Sequence, residues 1–75
     1  MSIRKDLLRD IEAFLRDFEM AASTFGAEAI SDRAFVFMLR AGRDPKASTV
    51  DRVRDFMADY RRQHAKRPKL ADAAA

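Results

Sequence analysis

Basic side chains close to an apolar run are the residues of this chain best suited to bind a ligand. Phe35–Leu39 are five consecutive apolar residues, and the surrounding segment 33–46 holds four basic side chains against a single acid, Asp44. Arginine and lysine donate charge-assisted hydrogen bonds to phosphates and carboxylates, so a cluster of them favours an anionic partner. The basic residues of the segment are Arg33, Arg40, Arg43 and Lys46.

The sequence offers little of the chemistry that catalysis or metal binding requires. There is no cysteine to act as a nucleophile, and the single histidine, His64, lies in a basic C-terminal segment that is expected to be flexible. Asp and Glu residues are scattered among basic neighbours, and no glycine-rich phosphate-binding loop is present. We therefore expect a protein that is not an enzyme, with no catalytic residue, metal ion or cofactor.

Length and composition favour one small helical domain. The 75 residues are 48% hydrophobic with two Gly and two Pro, which is enough for a core but leaves few sharp turns. The absence of cysteine is typical of proteins in a reducing cytoplasm. No apolar run approaches the roughly 18 residues of a membrane-spanning helix, and the N-terminal residues do not resemble a signal peptide. We expect an all-α cytoplasmic protein without a membrane partner.

The net charge of +3 is unevenly distributed along the chain. Residues 1–60 hold ten basic and eleven acidic side chains, so this part is nearly neutral. Residues 61–69 hold five basic side chains and no acid: Arg61, Arg62, Lys66, Arg67 and Lys69. Such clustering suits a polyanion, although a run of charges is also common on an ordinary solvated surface. We predict that residues 61–75 form a flexible basic tail that contacts phosphates.

The spacing of apolar residues predicts a compact bundle of four to five helices. Apolar side chains recur at intervals of three and four, the period of an amphipathic helix. Ser23, Ser31-Asp32 and Ser48 are suitable N-caps for the second, third and fourth helices, and Gly42 is suitable for the left-handed position after the third. The helices are predicted at about residues 2–20, 23–30, 33–41 and 49–62.

The second and third predicted helices carry a pattern of a known kind. In the second helix an apolar residue is followed by a small one, and a β-branched residue stands in the third helix; these positions are Phe25, Gly26, Ala29, Val36 and Leu39. Over about residues 20–60 the pattern resembles the lambda-repressor-like helix-turn-helix family, and LRAGRDPKASTVDRV is similar to the exit from the third helix in short bacterial and phage repressors. The sequence departs from the family at the turn, where Ile30, followed by Ser31, replaces the usual glycine. The resemblance implies that residues 1–60 form a helix-turn-helix DNA-binding domain.

Helical spacing divides the apolar run between two sides of the third helix. Phe35, Val36 and Leu39 are expected to face the core, whereas Phe37 lies outside and Met38 lies at the edge. Two other placements of Phe37 remain open: the ring completes the core, or it contacts a second copy of the chain.

The resemblance also implies roles for the residues around the third helix, which would enter the major groove of DNA. The candidates for base contacts are Arg33, Ala34 and Phe37. The two apolar residues, Ala34 and Phe37, would contact thymine methyl groups. The candidates for phosphate contacts are Ser23, Thr24, Arg40, Arg43 and Lys46. The alternatives are capping for the two hydroxyls, and ion pairs of the two arginines with Asp44 or with an acid on the first helix.

Two functions are consistent with these features. The favoured one is sequence-specific binding of double-stranded DNA by a transcriptional regulator, alone or as a homodimer, in the cytoplasm at the nucleoid. The alternative is a small adaptor on the same scaffold, in which exposed Phe37 and Met38, with Tyr60, bind a protein of the transcription machinery. Binding to unrelated duplex DNA distinguishes the two functions. Only the regulator should bind such DNA, and its affinity should fall as the salt concentration rises.

Overall fold

The computed structural model describes the backbone of residues 2–74 and the side chains of residues 2–64. Within this part the predicted all-α class is confirmed, since the backbone forms four helices and no strand. None of these helices combines the length and the apolar content that crossing a membrane requires. The helices are α1 (Ile3–Phe18), α2 (Ala22–Ile30), α3 (Phe35–Arg40) and α4 (Ala47–Ala74).

Helix α1 is bounded by a side-chain cap at its start and a backbone motif at its end. The Ser2 hydroxyl accepts a hydrogen bond from the Lys5 amide at 3.3 Å, which satisfies one of the free amides of the first turn. At the other end Glu19 adopts a left-handed conformation with φ 50°, and the Met20 amide donates to the Leu15 carbonyl at 3.0 Å. The helix is therefore slightly shorter than the predicted 2–20.

All four helices contribute apolar side chains to one core. Phe14 of α1 lies at its centre, with its ring centroid 4.7 Å from Phe18, 5.4 Å from Phe25 and 5.3 Å from Tyr60. The last two pairs meet edge to face, the arrangement that aromatic quadrupoles favour. The buried hydrophobic side chains are Leu7, Ile11, Phe14, Leu15, Phe25, Phe35, Val36, Leu39, Val53 and Met57.

The turn after α2 lies one position later than the family pattern implies. Ile30 is still helical, and Ser31 takes the left-handed conformation with φ 58° and ψ 36°. The Ser31 amide donates to the Ala27 carbonyl and the Asp32 amide to the Gly26 carbonyl, both at 3.0 Å. The prediction of Ser31 as an N-cap of the third helix was therefore wrong, because this residue instead closes the second.

Helix α3 begins at Phe35 rather than near Arg33. The Asp32 carboxylate accepts the Ala34 amide at 3.0 Å, and the Asp32 carbonyl accepts the Phe35 amide at 3.2 Å. Asp32 thus organises the turn before the helix, while the residue at the N-cap position is Ala34, which makes no side-chain cap. The hydrogen bonds of Asp32 place Arg33 and Ala34 in this turn instead of in the helix.

Gly42 ends α3 as predicted. It has a positive φ of 106°, which a residue with a side chain adopts only with strain. The Gly42 amide donates to the Leu39 carbonyl and the Arg43 amide to the Met38 carbonyl, both at 3.0 Å. These two bonds form a Schellman motif, which satisfies carbonyl groups that the helix leaves free.

Helix α4 begins at Ala47, earlier than the predicted residue 49, with the Val50 amide donating to the Lys46 carbonyl at 3.0 Å. Ser48 is therefore inside the first turn and is not the N-cap. The helix extends to Ala74, beyond the predicted end near residue 62. The phosphate contacts predicted for Lys66, Arg67 and Lys69 lie outside the described side chains and, like the flexibility predicted for residues 61–75, remain predictions.

Candidate nucleic-acid interface

The apolar run of α3 divides between the core and the surface. Phe35, Val36 and Leu39 are 7%, 0% and 1% exposed, whereas Phe37 is 49% and Met38 37% exposed. The predicted division of the run is confirmed, and the alternative in which Phe37 completes the core was wrong. Burial of three side chains fixes the orientation of this short helix, and the orientation in turn presents Phe37 and Met38 to solvent.

Arg33 and Ala34 precede α3 and lie close to Phe37 along the helix. Both are exposed. The Ala34 carbonyl accepts the Met38 amide at 2.9 Å, so Ala34 stands directly before the first helical turn and Phe37 follows within that turn. The three candidates for base contacts therefore lie at the N-terminal end of α3, although two of them belong to a turn and not to the helix.

Arg40 is engaged by an acid of α1. Its Nε lies 2.7 Å from Glu12 Oε2 and its Nη2 lies 2.9 Å from Glu12 Oε1, a bidentate ion pair. The guanidinium carbon lies 5.6 Å from the centroid of the Phe37 ring. Of the alternatives for Arg40, the structure therefore contains the ion pair with an acid on the first helix. A phosphate would have to share the guanidinium with Glu12.

The hydrogen bond from Arg40 holds the pKa of Glu12 below its usual range, and the same bond raises the pKa of Arg40. A carboxylate whose pKa is lowered in the folded state stabilises the fold above its unfolded pKa, and this contribution is lost as the pH falls through the folded pKa. The pair is solvent-exposed on both sides, with 42% and 32% of the two side chains accessible. Solvent screening therefore keeps its contribution small.

Glu12→Gln is expected to lower the free energy of unfolding at pH 7 by less than about 1 kcal/mol. The difference from the unaltered protein should shrink as the pH falls below 4.5, the ordinary pKa of glutamate, and disappear below the lowered pKa of folded Glu12, where both proteins lack the negative charge. Urea denaturation at pH 7 and at pH 3 measures it. Glu28→Gln is the control, since exposed Glu28 has no ion pair among the described side chains; an equal loss there would contradict the assignment.

Arg43 and Lys46 are exposed, and neither has an acid within 4.0 Å among the described side chains. The neighbouring acid, Asp44, is paired instead with Arg4, whose Nε lies 3.5 Å from Asp44 Oδ1. Arg4 Nη1 also donates to the Leu39 carbonyl at 3.5 Å. Because the one acid of the loop pairs with Arg4 of α1, the two loop cations have no ion pair among the described side chains and can bind an anionic partner.

Half of the lysines and arginines with described side chains have an acid within 4.0 Å. Arg54 Nη1 lies 3.1 Å from Asp10 Oδ2, Arg61 Nη2 lies 3.9 Å from Asp17 Oδ2, and Arg62 contacts Asp59. Arg61 and Arg62, predicted as tail contacts to phosphate, are therefore partly neutralised. The cations with no acid within 4.0 Å among the described side chains are Lys5, Arg16, Arg33, Arg43, Lys46 and Arg52, of which Arg16 still acts through its charge on Glu12.

Ser23 and Thr24 lie apart from the residues around α3. Helix α2 begins at Ala22, so both belong to its first turn, and neither hydroxyl caps the helix. At 1.5 Å per residue, Ser23 lies about 12 Å along the axis from Ser31. Both side chains are partly buried. The structure thus groups the cations and Phe37 at one end of α2 and leaves the two hydroxyls at the other.

Glu12 and Arg4 were not predicted as part of this surface. Their partners lie 28 and 35 residues away in the sequence, at Arg40 and at the Leu39 carbonyl. The charge pattern of α1 alone is that of an ordinary solvated face. Only packing α1 against α3 makes the two partners meet, so no local signal identifies them.

Comparisons with known proteins add no relative to this description. No protein-family model matches the chain, and neither the curated proteins nor the solved structures contain a match.

Proposed function

We propose that the chain binds double-stranded DNA through the outer surface of α3 and the turns on either side of it, as a transcriptional regulator. One observation carries the proposal. Three cations with no acid within 4.0 Å among the described side chains stand in the turns before and after α3: Arg33, Arg43 and Lys46. Such cations gain most from phosphates, because DNA then releases condensed counterions. Phe37, on the helix between these turns, is half exposed, and an apolar ring there suits the apolar edge of a base.

In this proposal α2, the turn and α3 act as a helix-turn-helix whose turn is displaced to Ser31. Ala34 and Phe37 would contact thymine methyl groups in the major groove, and Arg33 would reach a base or a phosphate. Arg43 and Lys46 would hold phosphates, which position the protein but read no sequence. Such a regulator would act in the cytoplasm at the nucleoid. Selection of bound duplexes from a random pool tests whether a preferred sequence exists.

The salt dependence of binding to DNA tests the assigned cations. The variant Arg33→Ser/Arg43→Ser/Lys46→Ser should bind duplex DNA more weakly. The slope of log affinity against log salt concentration should become shallower by up to about 2.7, if each cation neutralises one phosphate. The matched control is Lys5→Ser/Arg16→Ser/Arg52→Ser, which removes the same charge from cations that also have no acid within 4.0 Å among the described side chains. Arg16 acts on Glu12 only through the charge of its guanidinium and without a hydrogen bond. Equal losses in the two variants would contradict the proposed surface.

A second function, the protein adaptor, is favoured by the exposure of Phe37 and Met38, at 49% and 37%. Tyr60 does not extend this patch, because it is only partly exposed and its ring packs against Phe14 and Phe18 in the core. An adaptor would bind duplex DNA weakly even at low salt. Absence of measurable binding to any duplex at low ionic strength would therefore favour the adaptor over the regulator.

A further inference from the structure

An open groove lies beside α3. It has a volume of about 480 Å³ and is bounded by the turn before α3, the helix itself, the loop 43–46 and the start of α4. Phe37 does not line it. Its apolar lining is formed by Ile30, Ala34, Phe35, Met38, Leu39 and Pro45. Met38 is the most exposed large side chain of these, so it offers the largest apolar contact to an occupant.

The charged side chains at the groove have a small excess of positive charge. Arg43 and Lys46 line it and have no acid within 4.0 Å among the described side chains. Two acids also line it: the Asp44 carboxylate pairs with Arg4 at 3.5 Å, whereas the Asp32 carboxylate accepts only the uncharged Ala34 amide at 3.0 Å. Arg4, Arg43 and Lys46 thus stand against two carboxylates, which leaves one positive charge in excess beside the apolar lining.

The first turn of α4 adds to this potential. Thr49 lines the groove from that turn, which contains no acidic residue. The N-terminal turn of a helix carries free amides and the positive end of the helix dipole. Without an acid of its own, this turn leaves its partial positive charge uncompensated. It lies next to Lys46, so the two sources of positive potential reinforce one another.

An apolar lining with a cationic rim requires a ligand that is both apolar and acidic. Small-molecule sites usually enclose most of the ligand surface, whereas this groove is open to solvent. Nucleic acid would match the cations but would leave Met38 and Pro45 without apolar partners. A protein segment with carboxylates next to apolar side chains satisfies both requirements, because its side chains can enter the groove while its backbone remains outside.

We propose that this groove binds an acidic segment of a partner protein, with an apolar side chain of the segment against Met38 and Pro45 and its carboxylates at Arg43 and Lys46. The site goes beyond the DNA surface, because it uses Met38 and Pro45 and not Phe37. It shares Ala34 with the proposed base contacts, and Arg43 and Lys46 with the proposed phosphate contacts. A bound segment would thus compete with DNA, which would make the groove a place where a partner protein regulates DNA binding.

Fluorescence anisotropy with labelled, end-capped peptides of one length tests the proposal directly, without DNA. Each peptide contains acidic residues, Asp or Glu, and apolar residues, Leu or Phe, and the set varies the number of residues between the acidic and the apolar positions. In one matched set Asn and Gln replace the acids, and in another Ser replaces Leu and Phe. At least one acidic, apolar peptide should bind, and either replacement should weaken it about tenfold, corresponding to about 1.4 kcal/mol. Absence of binding, or equal binding of the neutral version, would overturn the proposal.

Variants of the protein locate the peptide. Arg43→Ser/Lys46→Ser and Met38→Ser should each weaken peptide binding about tenfold. Two controls should leave it unchanged: Lys5→Ser/Arg52→Ser removes equivalent charge elsewhere, and Phe37→Ser removes the exposed ring outside the groove. Loss of binding in Phe37→Ser but not in Met38→Ser would overturn the groove as the site. This experiment does not depend on the DNA proposal, because peptide binding is measured without DNA. Displacement of the bound peptide by duplex DNA is a second experiment, which tests the competition.

Discussion

Gly26→Ala is expected to unfold the protein, or to lower its free energy of unfolding by about 3 kcal/mol. A Cβ at this position would lie 2.1 Å from the Asp32 carbonyl oxygen, far inside van der Waals contact. The obstacle is backbone and cannot move aside as a flexible side chain would. Relief therefore requires the turn to shift, which would break the hydrogen bond from the Asp32 amide to the Gly26 carbonyl.

Gly42→Ala is the matched control. Its φ of 106° strains any residue with a side chain, but a Cβ there would meet no atom within 4 Å. Only the backbone cost remains, about 1–2 kcal/mol. Circular dichroism during urea denaturation measures both variants. If Gly26→Ala is no less stable than Gly42→Ala, then the turn is not held by close packing against α2.

The same contact has a consequence for DNA binding. Asp32 organises the turn that carries Arg33 and Ala34, and Gly26 is the residue on which this turn rests. Any variant that displaces the turn would also move these side chains relative to Phe37. At a temperature at which both variants are folded, Gly26→Ala should therefore bind DNA more weakly than Gly42→Ala. The second substitution should leave the N-terminal end of α3 unchanged.

Features fixed by local sequence could be predicted. The helical period correctly assigned Phe35, Val36 and Leu39 to the core and Phe37 to the surface, since orientation follows directly from spacing. Gly42 was assigned correctly because glycine is strongly preferred at a left-handed helix end. These signals need no knowledge of the rest of the chain.

The details of the turn could not be predicted, because no residue there has a decisive preference. Ile30 is the last residue of the helix, and Ser31 adopts the left-handed conformation, although serine has no special preference for a positive φ. Their order depends on how Asp32 can pack against Gly26, a contact set by tertiary structure. The partner of Arg40 could not be predicted for the same reason, because it is an acid 28 residues away in the sequence.

The second large effect is expected from Leu39→Ala, which should lower the free energy of unfolding by about 2–5 kcal/mol. Leu39 is 1% exposed and belongs to the buried core, so truncation removes apolar contacts and leaves a cavity. Phe37→Ala, by contrast, should cost about 1 kcal/mol, mainly through the loss of the ring beside Arg40 at 5.6 Å. Thermal and urea denaturation of both variants measures the difference.

The same pair separates a folding role from a binding role on one short helix. Phe37→Ala should weaken binding to duplex DNA at a temperature at which the variant is fully folded, because its ring is 49% exposed on α3, the helix whose flanking turns carry cations that have no acid within 4.0 Å among the described side chains. Leu39→Ala should retain the affinity of its folded fraction, since its side chain faces the core. If Phe37→Ala has as low a melting temperature as Leu39→Ala, then the assignment of the Phe37 ring to the surface is wrong. If it melts late and binds DNA with full affinity, then α3 meets DNA without this ring, and the exposed patch of Phe37 and Met38 is better explained by a protein partner.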